Sequence, residues 1–86
     1  MKPRYTFAVI VDTNEHWREW VSEKVYNTKP RTVTSDKFTL RDIEYKKVQN
    51  ISDIRGERFD GIIEHEEAIY NAEYNEIKKC ISVTLL

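Results

Sequence analysis

Residues 5–12 read YTFAVIVD, an apolar run that stops at an acid. Both alternating sets of side chains are apolar, which predicts a strand buried on both faces, as in sheets covered by helices on each side. The polar segment that begins at Thr13 contains no glycine and leads directly into a helical pattern. A strand that runs into a helix is the unit with which α/β proteins place ligands at the carboxyl ends of their strands.

The helix after this strand is predicted from its apolar residues, which recur at helical spacing: Trp17, Trp20, Val21 and Val25. Asp12 or Thr13 is expected to cap the helix, because the side chain of either can accept a hydrogen bond from an unpaired backbone N–H. Pro30 is expected to close the segment, since proline lacks a backbone donor and restricts the residue before it.

Three further strands are expected. Residues 31–34 form a short strand that ends in a turn at residues 35–36. Residues 40–48 alternate, and their lysines are typical of a half-exposed or edge strand. Residues 59–64 form a second apolar strand, which again ends in an acid. If the strands at 5–12, 31–34 and 59–64 are parallel neighbours, their carboxyl ends meet at one edge of the sheet.

Two helical segments complete the pattern. Residues 50–56 are predicted to form one helical turn that Gly56 closes in a left-handed conformation. A longer helix is predicted at residues 66–79, and residues 81–86 either continue it or form a last strand. The apolar face of this helix is expected to comprise Ile69, Ala72, Ile77 and Cys80. Cys80 is therefore expected to be a buried, inert thiol.

Together these elements predict a single α/β (or α+β) domain over residues 1–86. We expect a small mixed sheet of four to five strands, two main helices and a parallel strand-helix-strand unit. A domain of this size buries only roughly 60 to 65% of its unfolded surface, so a protein partner or a second copy of the chain would add to its stability.

Composition narrows the function classes. The net charge is −1, with 34% charged residues, so the chain as a whole lacks the cationic field that drives nonspecific nucleic-acid binding. The single cysteine excludes an internal disulfide and favours a reducing, cytoplasmic setting. No segment approaches the ~20 apolar residues that span a bilayer, so we expect a soluble protein. No cofactor and no metal site is predicted.

The predicted edge of the sheet carries several polar groups: Asp12, Asp36, Glu64, His65 and Glu66. Carboxylates such as Asp12, Asp36 and Glu64 would suit a divalent cation in a phosphoesterase. The alternative, which we favour, is that these acids cap and solvate the starts of helices. His16 and His65 do not have the spacing of a zinc motif and are expected to be structural or surface residues.

Two other groups of residues are candidates for binding. Aromatic residues are enriched at protein interfaces, and the candidates here are Trp17, Trp20, Tyr70 and Tyr74. In a domain this small, however, the tryptophan pair is expected more often in the core. A basic patch for nucleic acid would comprise Lys46, Lys47, Arg55 and Arg58, although interleaved acids cancel most of its charge.

Residues 54–67 read IRGERFDGIIEHEE. This segment resembles the Walker B neighbourhood of helicase-like and terminase-like P-loop ATPases, in which a strand ends in Asp-Glu, and the chain is similar to small bacteriophage proteins with this pattern. The resemblance implies that the family's metal-holding aspartate falls at Glu64 or His65 and its catalytic glutamate at Glu66, and both registers depart from the pattern. The chain departs from the family after its first strand, where the phosphate-binding glycines and lysine are absent. The resemblance therefore implies a fold kept for binding without ATP hydrolysis.

From these observations we expect a non-catalytic module, of bacteriophage type, that binds a protein of the host. A metal-dependent phosphoesterase and a nucleic-acid-binding accessory protein remain alternatives.

Overall fold

The computed structural model describes residues 3–26 and 32–85. In these ranges the strands are β1 (Tyr5–Ile10), β2 (Thr32–Val33), β3 (Lys37–Leu40), β4 (Ile43–Val48) and β5 (Gly61–Glu64). The helices are α1 (Asn14–Val25) and α2 (Tyr74–Leu85), and two 3₁₀ turns lie at Ile51–Asp53 and Ala68–Tyr70.

The strands form one mixed sheet in the order β2-β3-β4-β1-β5. β1 pairs in parallel with β4 on one side and with β5 on the other, whereas β2, β3 and β4 pair antiparallel. The expected small α/β fold, with a mixed sheet and two main helices, is therefore confirmed. Of the three strands whose parallel adjacency was the condition for a shared edge, β5 is a parallel neighbour of β1, but β2 lies three strands away.

The strand β3 was not predicted, and it moves β4 away from the edge. Phe38 of β3 is fully buried, and its ring stacks on Tyr45 of β4 at a centroid distance of 5.5 Å. Arg41, at a φ of 56°, turns the chain between the two strands. Of the two alternatives for residues 40–48, the half-exposed strand is correct, since five of the six residues of β4 are partly buried, and the edge strand is wrong, because β4 is flanked by β1 and β3.

Both faces of β1 are buried, as its sequence predicts. Ala8 and Ile10 contact a cluster that includes Ile77 and Ile81 of α2. The alternate residues Val9 and Val11 contact the opposite cluster, in which the α1 tryptophans lie. Each helix therefore covers one face of the sheet, and β1 lies in the centre of a three-layer structure.

The predicted helix at residues 66–79 is wrong in its extent, because α2 begins at Tyr74 and continues to Leu85. The segment before it turns inward at Asn71, whose buried side-chain amide donates hydrogen bonds to the carbonyls of Val11 (2.8 Å) and Gln49 (2.7 Å). Because Asn71 holds this segment against the strand ends, the side chains that face the core differ from the predicted ones. Of the predicted apolar face, Ile77 is buried, whereas three members are exposed: Ile69, Ala72 and Cys80.

The short turn before β5 agrees with the prediction for residues 50–56. A 3₁₀ turn begins after Asn50, and Gly56 adopts a φ of 75°. A left-handed residue at this position lets the chain reverse toward Phe59, which is buried in the α2-side cluster.

Candidate functional site

Parallel pairing brings the ends of β1 and β5 together at the carboxyl edge of the sheet. The backbone N–H of His65 donates to the carbonyl of Ile10 at 3.0 Å, which extends the pairing by one residue beyond β5. Thr13 directly precedes α1 at the same edge, where its hydroxyl accepts the His16 N–H at 3.2 Å. Thr13 is therefore the helix cap. The carboxylate of Asp12, the alternative predicted cap, contacts the His16 side chain instead.

Asp12, His16 and His65 form a compact cluster at this edge. The Asp12 carboxylate is hydrogen-bonded to His16 Nδ1 at 2.5 Å. The two imidazole rings are stacked, with centroids 4.6 Å apart and planes inclined by 15°. One potential ligand atom from each of the three residues lies within 4.8 Å of the others, and all three side chains are half-buried. We call these residues the edge cluster.

The electrostatic environment of the edge cluster favours positive charge on His16. The hydrogen bond to Asp12 raises the pKa of the imidazole above its ordinary value, against the opposing effect of partial burial. The Nε2 atom of His16 also lies 3.6 Å from the Glu67 carboxylate and 3.9 Å from that of Glu19. These negative charges raise the imidazole pKa further.

The pKa of Asp12 changes in the complementary direction. Burial alone would raise the pKa of this carboxyl, but the His16 hydrogen bond, backbone hydrogen bonds and the charge of His16 together lower it. The second imidazole is fixed differently, because His65 Nδ1 accepts the backbone N–H of Glu67 at 3.0 Å. The edge cluster is therefore a group of two imidazoles and one carboxylate, with the carboxylates of Glu19 and Glu67 beside it.

Glu64 belongs to a separate group on the neighbouring surface. Its carboxylate accepts the Tyr74 hydroxyl at 2.6 Å and pairs with Lys78 Nζ at 3.0 Å. The Tyr74 hydrogen bond is the main reason that the pKa of Glu64 is lowered, and Lys78 adds to this effect. Glu64 and Tyr74, which were predicted as members of two different sites, therefore contact each other.

Asp36 does not join the other predicted acids. Its carboxylate accepts the Thr34 hydroxyl at 3.0 Å within the turn after β2. Its carbonyl accepts the Lys47 N–H of β4, so Asp36 lies two strand spacings, about 10 Å, from β1. The sheet thus separates Asp36 from Asp12, and the three-carboxylate phosphoesterase site is not assembled in the part of the chain that the structure describes.

The predicted basic residues point in different directions. Neighbouring strand positions face opposite sides of a sheet. Lys46 accordingly pairs with Glu57 at 2.8 Å, whereas Lys47 donates to Asn14 of α1 at 3.0 Å. Arg55 and Arg58 are exposed. The two lysines are thus engaged on separate faces and do not form a common cationic surface.

Of the aromatic candidates, the two tryptophans are buried and Tyr70 is exposed. Trp17 and Trp20 are 2% and 7% exposed, and their stacked rings fill the space between α1 and the sheet. They are core residues, as a small domain favours, and offer little surface to a partner. Tyr70, by contrast, is 76% exposed, and its neighbour Ile69 is 65% exposed. Both lie in the 3₁₀ turn that precedes α2.

A groove of about 340 Å³ lies on the α1 side, between the helix and the turn after β2. Asn14, Arg18 and Ser22 line its helix wall. Residues 27–31, which connect α1 to β2, are outside the described ranges. The groove contains none of the predicted site residues other than Trp17.

Sequence reasoning missed two features of this edge. The proximity of His16 and His65 depends on the pairing of β1 with β5, which spacing along the chain does not indicate. The exposure of Ile69 depends on the inward turn at Asn71, a tertiary contact that the helical periodicity of residues 66–79 does not indicate. Among the described helices, none is long and apolar enough to cross a bilayer.

Comparison of the chain with protein-family models, with curated proteins and with solved structures gives no match. Its function is therefore inferred from its own residues.

Proposed function

We propose that this protein is a non-catalytic module that binds a protein partner with a basic surface. The observation that carries this proposal is the adjacent pair Ile69 and Tyr70, two large apolar side chains exposed in one turn. Single exposed apolar residues are ordinary, but tyrosine is enriched at binding hot spots, and here it lies beside a second exposed apolar side chain. We call this pair the apolar tip.

The charge around the apolar tip favours a partner with a basic surface. Between Arg58 and Lys78 the chain contains no lysine or arginine and six acids: Asp60, Glu64, Glu66, Glu67, Glu73 and Glu76. The whole chain has a net charge of only −1, so negative charge is concentrated in the segment that contains the tip. A complementary surface would be rich in lysine and arginine. Such charge complementarity speeds association and excludes acidic partners.

The apolar tip is held in place before any partner arrives. Asn71, the next residue, donates to the ends of β1 and β4, and its Oδ1 accepts the Glu73 N–H at 2.7 Å. A segment fixed in this way loses little conformational entropy on binding. This supports a preformed binding surface rather than a segment that folds around its partner.

The same geometry favours this proposal over the two alternatives. Asp36 lies apart from Asp12 and Glu64, so the carboxylates of a phosphoesterase are not assembled among the described residues, and Lys46 and Lys47 lie on opposite faces of the sheet, which does not suit a continuous basic patch for nucleic acid. The resemblance of residues 54–67 to a P-loop ATPase segment found in small bacteriophage proteins supports a phage origin. The proposed partner is then a host protein in the cytoplasm. A second copy of this chain fits less well, because two acidic tips would repel each other.

A capture experiment with matched variants tests this proposal. The immobilised wild type, the double variant I69S/Y70S and the control Y26S are each incubated with host-cell lysate. Tyr26 is 77% exposed but lies at the end of α1, so its substitution controls for the loss of exposed aromatic surface. Loss of two hot-spot side chains costs about 2 kcal/mol or more, which corresponds to at least a thirtyfold weaker interaction.

We expect wild type and Y26S to retain the same dominant protein, and I69S/Y70S to lose it. Raising the salt concentration should weaken the retained complex, since its charges are exposed at the rim. Equal capture by all three proteins would contradict the proposal. Light scattering measures the oligomeric state of the isolated chain and tests whether the tip binds a second copy instead. If the wild type is a dimer and I69S/Y70S is a monomer, the apolar tip serves self-association and the proposal is contradicted.

A further inference from the structure

We propose that Asp12, His16 and His65 form a binding site for one divalent transition-metal ion of the zinc class. Two imidazoles and a carboxylate are a donor set that suits zinc, cobalt and nickel, whereas magnesium and calcium prefer oxygen ligands alone. The site is independent of the apolar tip, so either proposal can fail without the other.

The backbone positions of the three residues are fixed by the fold. Asp12 follows β1, and His16 lies in the first turn of α1, four residues later. His65 is held against Ile10 by a sheet hydrogen bond. In a tetrahedral zinc site with bonds of 2.0 to 2.1 Å, ligand atoms are about 3.4 Å apart. The three ligand atoms already lie within 4.8 Å of one another, and we expect side-chain rotation to bring them to this spacing.

The surroundings of His16 match those of a metal ligand. A coordinating histidine usually donates its second ring N–H to a carboxylate, which orients the ring and strengthens its other nitrogen as a donor. Here Nδ1 faces Asp12, and Nε2 faces Glu67 and Glu19 at 3.6 and 3.9 Å. The metal would bind on the Nδ1 side, between Asp12 and His65, with these two carboxylates behind the ring.

Binding requires two local changes. The ion takes the place of the hydrogen between Asp12 and His16 Nδ1, and that proton passes to solvent. The His65 ring, now stacked on His16 with Nδ1 accepting the Glu67 N–H, must rotate so that a nitrogen lone pair points at the ion. One backbone hydrogen bond is exchanged for one metal–nitrogen bond. Water completes the coordination.

The test uses the full-length, untagged chain, because a histidine tag would itself bind the ion. All proteins carry the substitution C80S, since Cys80 is exposed and thiolates bind zinc. Zinc binding is measured by titration calorimetry, and cobalt binding by its visible absorption spectrum. The variants are H65Q, D12N and the control E66Q, which removes an exposed acid beside the site but leaves its three ligands intact.

We expect one zinc ion per chain, at least tenfold weaker binding in H65Q and D12N, and unchanged affinity in E66Q. Circular dichroism verifies that each variant is folded, and H16Q replaces D12N if that protein is not. Equal weakening in H65Q and E66Q, or equal affinity for magnesium and zinc, would indicate a diffuse acidic surface and overturn the proposal. Absence of binding heat and of a cobalt spectrum would overturn it as well.

Discussion

Asn71 is the residue that joins the apolar tip to the sheet, and its substitution by alanine should destabilise the whole domain. The variant N71A removes three hydrogen bonds of 2.7 to 2.8 Å, made to the backbone groups of Val11, Gln49 and Glu73. Asn71 is only 9% exposed, so water cannot replace all of these bonds without rearrangement. At about 1 kcal/mol for each bond, the expected loss is about 3 kcal/mol.

This loss is large for a domain of 86 residues, whose free energy of unfolding is roughly 4 to 13 kcal/mol by the usual range per residue. The corresponding decrease in melting temperature is about 12 to 24 °C. The assay is urea denaturation followed by circular dichroism, with the free energy of unfolding extrapolated to water.

The matched control is N75A, since Asn75 is exposed in the first turn of α2 and alanine is a better helix former. We expect N75A to be within about 0.5 kcal/mol of wild type. The variant N71D keeps the acceptor for Glu73 but places a carboxylate against two carbonyl oxygens, so it should be less stable at neutral pH than N71A. If N71A lost less than about 1 kcal/mol relative to N75A, the account of Asn71 as the anchor would be refuted.

Two further predictions concern the edge cluster and the turn before β5. Because the folded-state pKa of His16 is raised, its stabilising contribution is complete below the ordinary histidine pKa and is lost as the pH rises through the raised value. Because the pKa of Asp12 is lowered, its contribution is complete above the ordinary aspartate pKa and is lost as the pH falls through the lowered value. The urea midpoint of wild type should therefore decrease from pH 6 to pH 8 more than that of H16Q, and parallel pH profiles would contradict this. At Gly56, where φ is 75° and a Cβ would meet open space, G56A should cost about 1 kcal/mol through backbone strain alone. The variant G56N should cost less, as measured by the same urea denaturation, and equal stability of G56A and wild type would show that the turn adapts without strain.

Much of the secondary structure could be predicted because it depends on local patterns. The apolar run at residues 5–12 identified a strand buried on both faces, and the spacing of Trp17 and Trp20 identified the buried face of α1. Gly56 indicated a left-handed turn. Each of these predictions required only the period of the side chains or the conformational freedom of one residue.

The predictions that were wrong involved competition between distant groups. Residues 66–79 have helical periodicity, but the Asn71 amide donates hydrogen bonds to carbonyls at two strand ends, and this tertiary contact outweighs local helix propensity. The lysines of β4 suggested an edge, yet β3 pairs there because Phe38 completes the core beneath α1.

The sequence by itself determined that this chain forms an α/β domain with β1 at its centre, because a strand apolar on both faces must be covered on both sides. Only the tertiary structure decided which residues share its carboxyl edge. The parallel pairing of β1 with β5 brings His65 to His16, 49 positions away in the chain, while Asp36 lies beside β4, two strand spacings from β1 and three from β5. Asp12 directly follows β1, and the pairing of β1 with β5 places it beside both histidines. The physical reason is that hydrogen bonds between strands, and not spacing along the chain, determine which side chains meet.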